Sequence, residues 1–294
     1  MNRCARILLQ TTIPATEDDW SIARFSLLAN HLRTIKDDSG QVLFDVTVRD
    51  RDALGAPDSV LSTLDQGHFD QMWLFAVDIG NGLMPSDCEG IARFREKGGG
   101  LLVTRDHMDL GSSICGLAGV GAAHHFHTRN VDPDALKEVD DPYTTNILWP
   151  NFHSGANGDF QTIDVKAPAH PVLLNPDSPT GLVRYLPSHP HEGAVSAPAG
   201  QNARVIATGR SRTTGRPFNL AVAFESVNGM GRAIAPSTFH HFTDYNWNPA
   251  LGAPSFVTEP VADGLGRDPI AQADVHRYAR NIALWLANLA DDAR

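Results

Sequence analysis

Gly98-Gly99-Gly100-Leu101-Leu102-Val103-Thr104-Arg105-Asp106-His107 is the stretch on which the fold of this chain turns. The glycines close a helix-like segment, an apolar run follows, and that run breaks into charged and ionisable groups. In an open parallel α/β sheet, ligands bind in the crevice beyond the carboxyl ends of the strands. A buried strand that ends in Arg105-Asp106-His107 delivers polar side chains to such a crevice. The same residues also fit a plainer arrangement, with Asp106 capping the next helix and His107 in solvent.

Working outward, residues 5–9 read as a buried strand running into the polar Gln10-Thr11-Thr12. Thr16 or Asp18 then caps a helix to about Thr34, with Ile22, Phe25, Leu28 and Leu32 on one face. Residues 42–48 alternate apolar and polar, as a strand nearer a sheet edge does. Residues 71–77 form a continuous apolar run, as a central strand requires. Ser86 and Asp87 start a helix through Lys97, residues 101–104 form the next strand, and residues 111–117 read as a helix. Strands alternating with helices imply a parallel sheet with crossovers.

The second half is rich in Gly, Pro, Asn and Asp. Short β-like runs lie at residues 161–165, 181–186 and 204–208, and longer ones at 218–224 and 232–236. A final helix over residues 270–289 carries Val275, Ala279, Ile282, Leu286 and Leu289 at helical spacing, with Asp268-Pro269 as its start. No repeat and no long linker divides the chain. The expectation is one α/β domain over residues 1–294, with a mainly parallel central sheet flanked by helices and a loop-rich second half.

Composition narrows the function. The 294 residues are 42% hydrophobic and 20% charged, with a formal net charge of -10. No cluster of Lys and Arg offers a nucleic-acid groove. There is no apolar leader and no run long enough to span a bilayer, which points to a cytoplasmic protein without a membrane partner. Cys4, Cys88 and Cys115 are far apart and form no metal knot or disulfide framework. A small-molecule partner is expected, and a homo-oligomer is left open.

The order of several short motifs resembles ThuA-like proteins, within the class I glutamine amidotransferase-like superfamily. They are Phe69-Asp70-Gln71-Met72-Trp73-Leu74-Phe75, Phe94-Arg95-Glu96-Lys97-Gly98-Gly99-Gly100, and Pro168-Ala169-His170-Pro171-Val172. Gly229-Met230-Gly231-Arg232-Ala233-Ile234 follows, then Phe239-His240-His241, and finally Asn281-Ile282-Ala283-Leu284-Trp285-Leu286-Ala287. The resemblance implies a flavodoxin-like α/β fold and a role in carbohydrate metabolism; it fixes no reaction. In amidotransferases the strand after the glycines ends at a nucleophilic cysteine. Here Arg105 stands in that place, followed by Asp106 and His107, so glutaminase chemistry is disfavoured. Glu192 loosely matches an acidic residue that the family places after its His-Pro turn.

Thirteen histidines include several tight groups. His107 and His240 each follow a well-marked strand and are the candidate general acid and base, because imidazole titrates near neutrality. Asp106 or Glu192 would orient them. Arg105 could hold an anionic or carbonyl oxygen. In His124-His125-Phe126-His127, His125 and His127 share a face if the segment is extended. That pair could bind substrate hydroxyls or, with a third ligand, a divalent metal such as Zn²⁺. Thr11, His241, Asp244 and Trp247 complete the candidate substrate contacts, since aromatic faces beside polar donors suit a sugar. His189-Pro190-His191-Glu192 is a further group. Cys115 reads as a structural thiol, and His170, before a proline, as a positioning residue. The resulting reading is an enzyme acting on a sugar-like molecule by His/Asp/Glu acid–base chemistry, with no required cofactor. A metal-dependent hydrolase and a non-catalytic carbohydrate-binding or assembly module are the alternatives.

Overall fold

The computed structural model describes residues 4–117, 119–133 and 147–289. In chain order the elements are β1 (Ala5–Pro14), α1 (Ser26–Thr34), β2 (Phe44–Arg51), β3 (Gln71–Phe75), α2 (Pro85–Glu96) and β4 (Gly100–Thr104). Then come β5 (His124–His125), β6 (Phe160–Thr162), β7 (Asp164–Val165), β8 (Tyr185–Pro187), β9 (Ala194–Val195) and β10 (Ala203–Arg210). β11 (Pro217–Phe224), β12 (Ala233–Pro236), α3 (Asp244–Trp247), α4 (Gly264–Arg267) and α5 (Pro269–Leu286) follow.

One 8-stranded sheet runs in the order β2-β1-β3-β4-β12-β11-β10-β7. Every pairing from β2 to β12 is parallel, and β11, β10 and β7 extend the sheet antiparallel. This is the flavodoxin-like α/β architecture. The loop-rich second half completes the sheet of the first. Its small excursions, β5 with β9 and β6 with β8, form two-stranded ribbons beside it.

The inner strands β3, β4 and β12 are buried along their whole length and largely apolar because both faces are covered, while the outer β2 alternates. Ile7, Leu9, Trp73, Phe75 and Leu102 pack on one side with α1 and α5. Leu8, Met72, Leu74, Leu101 and Val103 pack on the other with α2. The glycine run closes α2 as read from the sequence. Gly98 adopts φ +97°, a left-handed conformation that lets the chain leave the helix and enter β4. Gly231, ahead of β12, lies so close to the Gly99 carbonyl that a Cβ there would overlap it.

Some local boundaries differ from expectation. α1 begins only at Ser26, after a 3₁₀ turn over Ile22–Phe25. Asp18 does not cap it but holds Ser255 through both backbone N and side-chain Oγ. Residues 111–117 form a short 3₁₀ turn, Ser112–Gly116, rather than an α-helix. Residues 181–186 contribute only the beginning of β8. No helix among the described residues is long and apolar enough to cross a membrane.

Candidate functional site

Two parallel strands place the centre of the site. β12 lies against β4, with Ala233 opposite Leu101 and Ile234 opposite Leu102, so their carboxyl ends emerge side by side. The loops beyond are tied by Phe239 N donating to Arg105 O at 2.9 Å. Asp106, just past β4, and His240, just past β12, are thereby brought together. His240 Nε2 stands 3.8 Å from Asp106 Oδ2.

A third segment, following β8, brings His189 and His191 to the same place. Gly193 makes this approach possible: a Cβ there would meet Asp106 O and Ser237 O at 2.7 Å. His189 Nε2 lies 3.6 Å from Asp106 Oδ1, and its ring stacks on His240 with centroids 3.6 Å apart. His107 Nδ1 lies 3.1 Å from Asp106 Oδ1. Because a carboxylate only accepts, Nδ1 of His107 is the donor and its Nε2 is left as the basic nitrogen. The His191 ring sits 5.0 Å from that of His107. Its Nδ1 meets Asn151 Oδ1 at 3.0 Å and its Nε2 meets Glu259 Oε1 at 3.1 Å.

The tautomers at the centre follow from one backbone carbonyl. Ser188 O can only accept, so the Asn246 atom 2.9 Å from it is Nδ2. Asn246 Oδ1 therefore faces His240 Nδ1 at 2.9 Å, and that nitrogen carries hydrogen. Asn246 Nδ2 also donates to Asn157 Oδ1 at 2.9 Å, which directs the same oxygen onto His189 Nδ1 at 2.9 Å. With hydrogen fixed on Nδ1, a ring that carries no second proton turns the Nε2 lone pair toward Asp106. Burial, reinforced by His240, holds His189 well below the ordinary imidazole value. Burial opposes ionisation of Asp106, but the surrounding imidazoles, His107 first and then His189 and His240, together outweigh it and keep the carboxyl well below the usual carboxylate range.

The group is nearly enclosed. Side-chain exposure is 3–6% at His240, His189 and Asp106, against 14% at His107 and 27% at Glu259. The group is therefore most open on the His107–Glu259 side. A cavity of about 960 Å³ lies elsewhere, between α1, α3 and α5, lined in part by His31, Trp247 and His276.

Asp106, His107 and His240 thus converge, while other sequence-based candidates take different places. Glu192 is fully buried and does not orient His107 or His240. Its Oε1 accepts from Ser154, Gln161 and His241, and its Oε2 from Ser237 at 2.6 Å. His241 serves that network rather than a substrate. Asp244 caps α1, accepting from Ser26 N at 3.1 Å, Ser26 Oγ at 2.6 Å and Leu27 N at 2.7 Å. That capping is why the helix starts at Ser26. Thr11 is fully buried at the end of β1 and donates to Asp50. Arg105 is fully buried, stacked over Phe126 at 4.0 Å and donating to Met108 O, and burial pulls its pKa down to about 9. It offers no exposed guanidinium to a substrate oxygen.

His125 is engaged at both ring nitrogens, by Asn130 O at 2.8 Å and Ser196 Oγ at 2.6 Å, and so is no metal ligand. His127 meets Trp149 O at 3.1 Å. Trp247 donates to His241 O and lines the large cavity instead. His170 caps the turn over Pro171–Leu173: its Nδ1 accepts from Val172 N and its Nε2 lies 3.2 Å from Glu225. The thiols are free; burial pushes Cys88 up to about 11 and also raises Cys115.

His189 and His191 were singled out in the sequence only as a group without a role, and Glu259, Asn157 and Asn246 were not anticipated. The signal for the first two was the imidazole pair flanking Pro190. The asparagines carry no mark in the sequence. Among the described residues, Asp106, His189 and His240 form a group whose candidate metal-ligand atoms all lie within 4.8 Å of one another.

No protein-family profile and no curated protein sequence matches the chain. Solved structures similar to it include a cytoplasmic protein, STM1381, of Salmonella typhimurium LT2. That match has 12% identity and a TM-score of 0.45, covering 96% of this chain and 99% of the other. The glutaminase domain of Trypanosoma brucei CTPS is similar at 13% identity and TM-score 0.49, covering 97% and 94%. The carbohydrate deacetylase Agd3 is similar at 12% identity and TM-score 0.41, covering 80% of this chain and 29% of that one. At such distances the chemistry has to be read from the side chains themselves.

Proposed function

We propose that the chain is a hydrolytic enzyme acting on a sugar or similar polyhydroxylated small molecule, and a divergent member of the ThuA-like group. The observation that carries this reading is the meeting of His107, His189 and His240 around the single carboxylate of Asp106. Asp106 holds His107 with Nδ1–H toward itself, which leaves Nε2 free to take a proton from an attacking water and return it to a leaving oxygen or nitrogen. Glycosidic cleavage ordinarily needs two free carboxylates flanking the bond. Glu192 is saturated by donors and Glu259 is engaged by His191. Hydrolysis of an ester or amide substituent fits this group better. No thiol takes part.

The experiment is turnover of O- and N-acetylated sugars and 4-nitrophenyl esters by the wild-type chain and by His107→Ala. Turnover by the wild type, reduced about 10²- to 10⁴-fold in the variant, is expected. One observation favours a second reading: the large cavity carrying Trp247 lies away from Asp106. A folded wild type that hydrolyses none of these substrates but binds free sugars, with affinity lost in Trp247→Ala, would establish a binding module instead.

A further inference from the structure

Most of the buried polar side chains in this molecule meet partners of opposite character, but the edges around Asp106 do not. His189 is 3% exposed, and its Nε2 has no hydrogen-bond partner. The asparagine chain that starts at Ser188 O forces hydrogen onto Nδ1 of both His189 and His240. Two imidazole lone pairs and a carboxylate oxygen are then left facing one another. Separations of 3.6 and 3.8 Å are longer than hydrogen bonds, in contrast to the 3.1 Å between Asp106 and His107. Buried acceptors facing only acceptors are costly unless something positive lies between them.

We infer that Asp106, His189 and His240 bind one divalent transition-metal cation of the zinc class. The donor set, two neutral imidazoles and a carboxylate, is one that such ions take while keeping a further position open for water. Around a tetrahedral ion with bonds near 2.0–2.1 Å, ligand atoms stand about 3.3 Å apart. Each imidazole is within a few tenths of an ångström of that distance from one oxygen of Asp106, His189 from Oδ1 and His240 from Oδ2. The whole set, within 4.8 Å, draws together onto the ion. The stacked rings open slightly as both Nε2 atoms turn onto one ion. Asn157 and Asn246 are the supporting residues, holding each Nδ1–H as ligating histidines are commonly held.

The site needs no particular reaction, but where the proposed hydrolysis holds, the ion would supply the activated water beside His107 Nε2. The test uses the full chain purified without a His tag and stripped with chelator. Zn²⁺ alone is titrated by calorimetry, and Co²⁺ is followed by its visible absorption. About one equivalent of each is expected, with a Co²⁺ spectrum of low-coordinate nitrogen/oxygen ligation. His189→Ala and His240→Ala should abolish binding with unchanged circular dichroism. Asn246→Leu should weaken it about 10- to 100-fold. If either alanine variant fails to fold, the Asn246→Leu shift in Zn²⁺ affinity decides.

Failure of the stripped, folded wild type to bind Zn²⁺ or Co²⁺ would overturn the inference, as would binding undiminished in all three variants. Ester or amide turnover by a wild type that binds neither ion would overturn it while leaving the hydrolytic reading intact. One bound equivalent with no turnover on any acylated sugar would uphold the metal site and remove that reading.

Discussion

Asp106 and Glu192 are both buried carboxylates, their segments pass one another at Gly193, and His240 and His241 are adjacent in the chain, yet the two acids lead opposite lives. Glu192 accepts from Ser154, Gln161, His241 and Ser237, so every oxygen meets hydrogen. Asp106 meets one donor, His107, and two nitrogen edges fixed in the wrong tautomer for hydrogen bonding. A buried charge that is fully satisfied fixes a fold. One left facing acceptors is a place prepared for something from outside. Neighbouring residues in the sequence therefore divide between structure and chemistry according to the direction in which each ring is turned.

The comparison can be broken most directly by substituting each acid with its amide. Asp106→Asn should reduce turnover about 10²- to 10⁴-fold, while Tm stays level or rises because lone-pair crowding is relieved. Glu192→Gln should do the reverse. An amide nitrogen set among the donors that Glu192 now satisfies costs about 1–3 kcal/mol, seen as a lower Tm, with per-molecule activity nearly retained. Equal losses of Tm in the two variants would erase the distinction.

A smaller effect sharpens it at histidines away from the site. Burial, with Arg204 nearby, holds His170 down to about 3, and burial, with His276, holds His31 down to about 4. Both are neutral in the folded chain but take up a proton near pH 6.5 when unfolded. The unfolded state then binds more protons. The resulting stability is fully present above about pH 6.5 and is lost as pH falls toward 4 and then 3. Replacing His170 with Gln should flatten the fall of Tm across that window; an unchanged slope would show that this ring is not responsible. The smallest expected effect is at Cys115. Cys115→Ser should leave activity intact and alter stability by about 0.5 kcal/mol or less, measured by denaturant unfolding. Inactivation by an alkylating reagent mapped to Cys115 would return the thiol to the mechanism.

Much of the frame was legible in the chain. Residues 71–75 and 100–104 are apolar without alternation, as only strands covered on both faces are, and Gly98 marks the helix end by a conformation that other residues avoid. The failures share a cause. Asp244 looked like a sugar ligand because it sits among aromatics, but its carboxylate found the open N–H groups of α1 more than two hundred residues earlier in the chain. Arg105 stands at the strand end as read, yet its side chain turned inward over Phe126.

Hydrophobic periodicity and turn chemistry are local, so the sequence by itself determined the core strands over residues 71–75 and 100–104, the strand over residues 233–236, and that Asp106 and His240 lie just beyond strand ends. Which strand lies beside which, and which way a polar ring faces, depends on contacts between distant segments. Only the tertiary structure could therefore bring the loop after β8 to Asp106 and pass the orientation of Ser188 O through Asn246 and Asn157. That relay decided which nitrogen of His189 and His240 carries the hydrogen, and so what the centre can bind.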